Sequence, residues 1–360
     1  MNKNKQSAGE SCAKKTSIGG QALIEGIMMR GPKLSAMAVR NPEGEIVLET
    51  WETKSTFKNK FFKLPFIRGI FNFIDSMTSG YKCLMRSAEI AGLEDEEPKK
   101  NDKAEKGSTE SDNADAPESP ESAESGTSSS EGAEKKAVKK EEKESGGVSK
   151  FAMSVLMVIS TVLGVLLAVG LFIFLPAQLY SWLGKAVPSI KDNIYLRSVF
   201  EGVFRIVLFV GYMLAVSRMK DIRRTFMYHG AEHKTIFCYE HGKELTVENV
   251  RAEKRFHPRC GTSFMILMLL VGIIIGMFIH ISSPIGRTAV KLLLLPVTVG
   301  IGYELIKLAG RKDNLLTRII SAPGMWLQHI TTVEPDDGMI ECAIKAFVEV
   351  LPEKEGEDNW

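Results

Sequence analysis

A mainly α-helical integral membrane protein, with four transmembrane helices and a small α+β cytoplasmic part, is the fold class this sequence predicts. Four apolar runs in the second half of the 360 residues are long enough to cross a bilayer, and a strongly basic loop separates the second run from the third. The first half is polar apart from one hairpin pattern and one amphipathic helix. Averages conceal this partition: 44% of residues are hydrophobic and 25% charged, while 46 basic and 44 acidic side chains leave a net charge of +2. That balance gives no global case for nucleic-acid binding, so none is expected. Five cysteines, Cys12, Cys83, Cys238, Cys260 and Cys342, are scattered and odd in number, which argues for reduced thiols rather than a disulfide framework.

Residues 1–16 are expected to be a disordered N-terminus. They lead into no apolar segment of the kind a secretory signal carries, so they are expected to stay in the cytoplasm. Residues 17–91 are expected to form a cytoplasmic hairpin plus an amphipathic helix. In AMAVRNPEGEIVLETWET two alternating strands flank a turn at Asn41 to Gly44. In LPFIRGIFNFIDSMTSGYKCLMRSAE, the residues Ile67, Ile70, Phe71, Ile74, Met77, Tyr81, Leu84 and Met85 recur at helical spacing behind Pro65. The polar positions of that helix rule against a span, which leaves the bilayer surface or the other cytoplasmic parts to cover it. Residues 92–147 are dominated by Glu, Ser, Lys, Ala and Asp. They cannot bury enough apolar surface to offset ordering entropy and are expected to be a disordered acidic tether that could recruit protein partners.

Transmembrane helices 1 and 2 are expected within 151–217, and helices 3 and 4 within 262–309. A bilayer core takes roughly 20 helical residues. The first run, Phe151 to Leu175, is free of charge and ends at Pro176. The second, near Val199 to Ser217, carries Glu201 and Arg205 one turn apart, placed to pair with each other. The third, Thr262 to Ile281, has Gly272 and Gly276 spaced for close helix contact. The fourth, near Thr288 to Ala309, holds Lys291, Pro296 and Glu304 and is expected to kink. Lys and Arg resist translocation. The loop 218–261 is rich in them, whereas the Ser282 to Arg287 connection offers one. The loop is therefore expected to be cytoplasmic, and four crossings bring the tail 310–360 and the N-terminus to the same side.

Within that loop, YHGAEHKTIFCYEHG gathers titratable groups. If Asp221 to Glu240 is one helix, His229, His233 and Glu240 share a stripe with Ile222, Phe226 and Ile236. His229-x-x-Glu232-His233 matches the inverted zinc-hydrolase pattern, in which two histidines a turn apart ligate the metal and the glutamate activates water. Gly230 weakens the helix this needs. Cys238 falls on roughly the opposite side of the helix. In RFHPRCGTSF, His257 and Cys260 offer further ligands from a Pro- and Gly-containing turn, where Arg255 and Arg259 would favour a thiolate. Three protein ligands with water would suit catalysis, and His229, His233, His257 and Cys260 together would close a structural shell.

GGQALIEGIMMRGP, YHGAEHKTI, HPRCGTSF and APGMWLQHITTVEPDD together resemble the YqhQ-like family of bacterial multi-pass membrane proteins, predicted metal-dependent enzymes. The resemblance spans nearly the whole chain outside the tether. It implies a bacterial inner (plasma) membrane location and points to Glu25 and Arg30, to His229, Glu232 and His233, to His257, Arg259 and Cys260, and to Trp326, Gln328 and Glu334. Glu25 then reads as a cofactor-binding residue. By itself the first motif is a flexible glycine frame able to close over a polar ligand, or equally a Gly-rich entry into the hairpin. The acids of Glu334 to Asp337 could cap the following helix or complete a metal shell. The expected function is a zinc-type hydrolase at the cytoplasmic face of the bilayer. His229 and His233 would hold a divalent metal, His257 or Cys260 would complete it, Glu232 would take a proton, and Arg30 or Arg259 would steady developing negative charge. The alternatives are a non-enzymatic membrane scaffold with a structural metal site, and a small transporter.

Overall fold

A computed structural model of the chain describes residues 15–53, 60–93, 150–311, 314–354 and 356–358. Beyond Leu93 the expected tether lies outside the described residues, as does the expected disordered N-terminus up to residue 14. Lys15 and Thr16, counted in that N-terminus, are placed: Thr16 donates from its backbone N–H to Glu240 Oε1 (2.7 Å) and from Oγ1 to Asp358 Oδ2 (2.7 Å). The chain divides into two units, Met1–Asp95 with Gly164–Trp360, and Glu96–Leu163. Of the second, the described part is the start of one helix.

Four antiparallel strands, β1 (Gly19–Leu23), β2 (Gly26–Arg30), β3 (Leu34–Arg40) and β4 (Ile46–Glu52), form one sheet in sequence order. The expected hairpin is β3 and β4, paired from Leu34↔Glu52 to Arg40↔Ile46. The Gly-rich motif before it is a second hairpin, turning at Ile24 and Glu25, with Glu25 held at φ 49°. That hairpin escaped the sequence because the central strands are buried on both faces, which replaces polar alternation with continuous apolar runs. Ile27, Met29, Ala36 and Ala38 face helices α5 (Lys220–Glu240) and α11 (Asp337–Glu349), against Tyr228, Ala231, Ile340 and Phe347. Met28, Met37 and Val39 face α1 (Ile67–Ile90) through Cys83. α11 starts where Asp336 Oδ1 accepts the Met339 N–H (2.9 Å), and its apolar residues at three- and four-residue spacing are fully buried. Met339, Ile340 and Phe347 each contribute roughly 1.5–3 kcal/mol of transfer free energy.

α1 packs on both the sheet and α9 (Leu295–Arg311). Glu304 of α9 accepts two hydrogen bonds from Arg68, at 2.7 and 2.5 Å, so this carboxylate ties helices together. Ile74, Met77 and Tyr81 on the remaining face are 45, 56 and 65% exposed.

The chain is mostly helical, and among the described residues two helices are long and apolar enough to cross a membrane, or three if one bent pair counts as a single span. α2 (Lys150–Val169) does not end at Pro176. A π-helical turn at Gly170–Phe174 leads into α3 (Leu175–Ala186), and the apolar stretch Val158–Ala186 is 29 residues long. Proline has no N–H and frees the carbonyl four residues back, here that of Phe172, which accepts Arg205 Nε at 2.7 Å. The second candidate is α4 (Ile194–Val216), capped by Asn193.

The third expected crossing is shorter than its apolar run. α7 (Gly261–Gly276) has 16 residues, about 24 Å at 1.5 Å each. At its end Arg287 donates to Gly276 O (2.9 Å), and arginines hold the chain just beyond it, Arg287 through Ile279 O (2.5 Å) and Arg197 through Ser282 O (2.9 Å). The fourth is broken into α8 (Pro284–Leu293) and α9, bent by 50° just before Pro296. The expected Glu201–Arg205 pair gives way to a larger cluster. Glu201, 1% exposed, accepts from Arg197 Nε (2.9 Å), from Arg287 Nε (3.1 Å) and from Lys291 Nζ.

Candidate metal centre

α5 brings the loop's histidines into the interior. Asp221 sits in its first turn, where a negative charge complements the helix dipole. His229 and His233, one turn apart, have ring centroids 4.4 Å from each other. Each ring is anchored on the side facing away from its neighbour. His229 Nδ1 lies 2.8 Å from the carbonyl of Thr331, at the end of α10 (Leu315–Thr331), and His233 Nδ1 lies 2.5 Å from the carbonyl of Arg255. A ring nitrogen meets a carbonyl oxygen only as a donor, so in each neutral ring the free lone pair belongs to Nε2.

The two rings gather around Cys260. His229 Nε2 is 3.1 Å from Sγ, and one ligand atom from each of His229, His233 and Cys260 lies within 4.8 Å of the others. Cys260 caps α7, its sulfur accepting the Thr262 N–H at 3.4 Å, and a helix N-terminus favours thiolate. Burial opposes its ionisation, but His229 and His233 hold it well below the ordinary thiol range. The arginines expected to do this are occupied elsewhere. Arg255 donates to Glu334 (3.2 Å), and Arg259 to Glu240. His233 is 1% exposed, and its Nε2 is buried without a hydrogen-bond partner among the described residues.

Glu232 stands beside this group. Its Oε1 accepts the Gly20 N–H at 2.9 Å, which brings the first motif into the site. Burial raises the carboxyl above its usual range, while the two histidines pull the other way. A Cβ on Gly20 would come within 2.6 Å of the Met28 carbonyl and 3.1 Å of the Glu232 carboxyl carbon, so the close approach requires glycine.

His257 is left outside the trio. Its Nε2 faces Glu240 Oε2 (3.6 Å) and Arg259 Nη2 (3.1 Å), and burial takes its pKa down to about 4. Gln328 holds that turn through both its amide atoms, accepting from His257 N–H and donating to its carbonyl, each at 2.7 Å. Arg30 pairs with Asp75 at 2.8 Å and Glu25 with Arg224, so neither joins the trio. Cys238 is buried in the core with α11. Trp326 is 56% exposed, and the acids after α10 serve structure: Glu334 meets Lys234 and Arg255, while Asp336 caps α11.

The pattern described as "Protein of unknown function (DUF1385)" matches residues 64–353. The "Uncharacterized protein YqhQ" of Bacillus subtilis (strain 168) is 32% identical over 339 residues, covering 92% of each chain. The chain belongs to the YqhQ family. No solved structure matches it, so the arrangement of the family's His, Cys and Glu side chains is read from this chain alone.

In this YqhQ-family chain Gly230 is the residue whose helix-weakening effect the packing explains. A Cβ there would lie 2.1 Å from the Val333 carbonyl, in the connection pinned to α5 by the Val333 N–H to Phe226 O bond (2.9 Å). Gly230→Ala gains roughly 0.8–1.0 kcal/mol of helix propensity. The overlap is with backbone and must displace the neighbouring Thr331 carbonyl that orients His229, at a cost of about 1–3 kcal/mol. The variant is expected to melt earlier than the parent, measured by thermal unfolding in detergent. Equal or greater stability would show that the α10–α11 connection yields freely.

Proposed function

We propose that the protein is a zinc-type, metal-dependent hydrolase of the membrane, with His229, His233 and Cys260 as its metal ligands and Glu232 as its proton-transfer group. The observation that carries this reading is the pair of imidazoles tethered through Nδ1 to the carbonyls of Thr331 and Arg255, which turns two Nε2 atoms toward one thiolate. Hydrogen bonding at the far nitrogen is how metal-binding histidines are oriented. The unpartnered Nε2 of His233 is the atom that a cation would satisfy, and two nitrogens with one thiolate suit zinc. Three protein donors, with His257 engaged by Glu240 and Arg259, leave one coordination position for substrate or water, which favours catalysis over a closed structural knot.

A bound divalent ion supplies Lewis acidity, polarising an oxygen of the substrate and acidifying water. The rest belongs to the chain. Glu232 keeps one oxygen on the Gly20 N–H and has the other free to accept a proton, and its burial raises its affinity for that proton. We place this centre at the cytoplasmic face of a bacterial inner membrane. The basic 218–261 loop supports this, with α7 and the α8–α9 pair taken as the third and fourth crossings beside the two long helices.

Glu232→Gln is the direct test. The variant is expected to keep its metal and lose turnover by roughly 100-fold or more, the usual range for removing a general base. Metal content by elemental analysis and hydrolysis of a panel of ester, amide and phosphoester probes give the two readouts. Loss of metal would reassign Glu232 as a ligand, and undiminished turnover would remove it from the reaction.

The 3.1 Å approach of His229 Nε2 to Cys260 Sγ favours one other reading, a thiolate–imidazolium pair acting as nucleophile without metal. Iodoacetamide separates the two readings. A nucleophilic thiolate alkylates equally fast with and without chelator, whereas a ligated one is protected until chelation.

A further inference from the structure

A cavity of about 480 Å³ lies among α4, α7, the α8–α9 pair and the π-helical turn. Its wall is almost wholly apolar, with Phe172, Phe209, Phe264, Met268, Leu269 and Leu295 among its lining. Two cations interrupt that wall, Arg205 and Lys291. The size falls within the roughly 300–1,000 Å³ of small-molecule sites. Tyr212, Met265 and Leu295, which also line the cavity, are 55, 47 and 45% exposed, so its mouth opens on the apolar surface that a bilayer covers.

The charges around it do not balance. Arg197, Arg287 and Lys291 share one carboxylate, Glu201, and Arg205 makes no ion pair with it among the described residues. Arg197 and Arg287 also donate to carbonyls at and just beyond the end of α7 and to Ser198 Oγ, with Arg197 Nη2 left unpartnered among the described residues. Arg205 is the arginine that lines the cavity: it is 9% exposed, gives Nε to the Phe172 carbonyl, and its Nη2 is buried without a hydrogen-bond partner among the described residues. An uncompensated guanidinium beside an apolar cavity is costly in a membrane protein and calls for an anion.

We propose that this cavity binds a membrane amphiphile with an anionic head, whose carboxylate or phosphate pairs with Arg205 and Lys291 while its acyl chain occupies the apolar space toward Phe264. The site is independent of the metal centre. Its cations lie at the Gly272 end, where the nearest neighbour of an added Cβ is Arg205 Nη1 at 3.8 Å, and the His/Cys trio lies beyond the other end of α7.

The test uses the full chain purified in detergent and titrated with radiolabelled oleate, with radiolabelled phosphatidylglycerol and with oleyl alcohol as the uncharged control. Saturable binding of an anionic probe at least about tenfold tighter than the alcohol is expected, the factor that one charge-assisted hydrogen bond provides. Preference for oleate identifies a fatty acid, and preference for phosphatidylglycerol a phospholipid. Arg205→Gln is expected to weaken the anionic probe by a similar factor and leave the alcohol unchanged. Gly272→Leu places a side chain in the cavity beside Arg205 while removing neither cation, and it is expected to abolish both; it serves as the decisive variant if Arg205→Gln does not fold. Failure of both anionic probes to bind, affinity of both no greater than that of oleyl alcohol, or undiminished binding in the Gly272→Leu protein would overturn the proposal. None of these readouts depends on metal or turnover.

Discussion

His233→Ala is expected to empty the metal centre. The wild-type protein, purified without added chelator, should carry stoichiometric zinc by elemental analysis, and the variant should carry essentially none. Weakening an outer hydrogen bond to a ligating histidine typically costs about 10–100-fold in affinity, and deleting one of three protein ligands must cost more. The substitution also removes a buried ring that packs 4.4 Å from His229 and 5.6 Å from His257, so lost metal could reflect a collapsed site. His233→Gln separates these effects, because it keeps most of the volume and a polar tip while offering a poor zinc ligand. Both variants should lose zinc, and the glutamine form should unfold at nearly the temperature of chelated wild type. Wild-type protein without metal, reconstituted with zinc and still unable to retain it, would sink the centre.

How much of this was legible in the sequence depended on whether a residue type carried the information. The His229–His233 spacing was visible because an α-helix repeats every 3.6 residues, and α5 runs within a residue of its expected start. The convergence of Cys260 on that pair rested only on a nearby H-x-x-C turn, and that turn splits. Its cysteine joins the imidazoles, while its histidine goes to Glu240, which shared the same helical stripe. The carbonyls of Thr331 and Arg255 left no trace, since every residue has one. The β1–β2 hairpin was obscured by two-sided burial. Apolar length overstated α7, because the sequence does not reveal that Arg287 holds the Gly276 carbonyl and that Arg287 and Arg197 hold the carbonyls just beyond it. Pro176 marked a real irregularity. Its consequence was a π-helical turn and a freed carbonyl for Arg205 rather than a helix end.

That same cluster sets the second large effect, for Glu201→Gln. Glu201 is 1% exposed and meets Arg197, Arg287 and Lys291, so its charge directly offsets two buried cations and a half-buried one. Glutamine preserves the shape and one acceptor, which isolates the charge. Breaking a buried ion pair by removing one partner costs about 3–5 kcal/mol, and here several cations lose their counterion at once. At roughly 2–4 °C per kcal/mol for a domain of this size, the apparent melting temperature in detergent should fall by about 10 °C. Because Arg197 and Arg287 also hold the carbonyls that end α7, the loop before α8 should become open to protease. The charge argument makes a sharper demand on the double variant Glu201→Gln, Lys291→Met. It removes one cation with the carboxylate and replaces it by an apolar chain of similar length, so it should melt above the single Glu201 variant. Additive destabilisation instead would mean that packing, and not uncompensated charge, sets the cost.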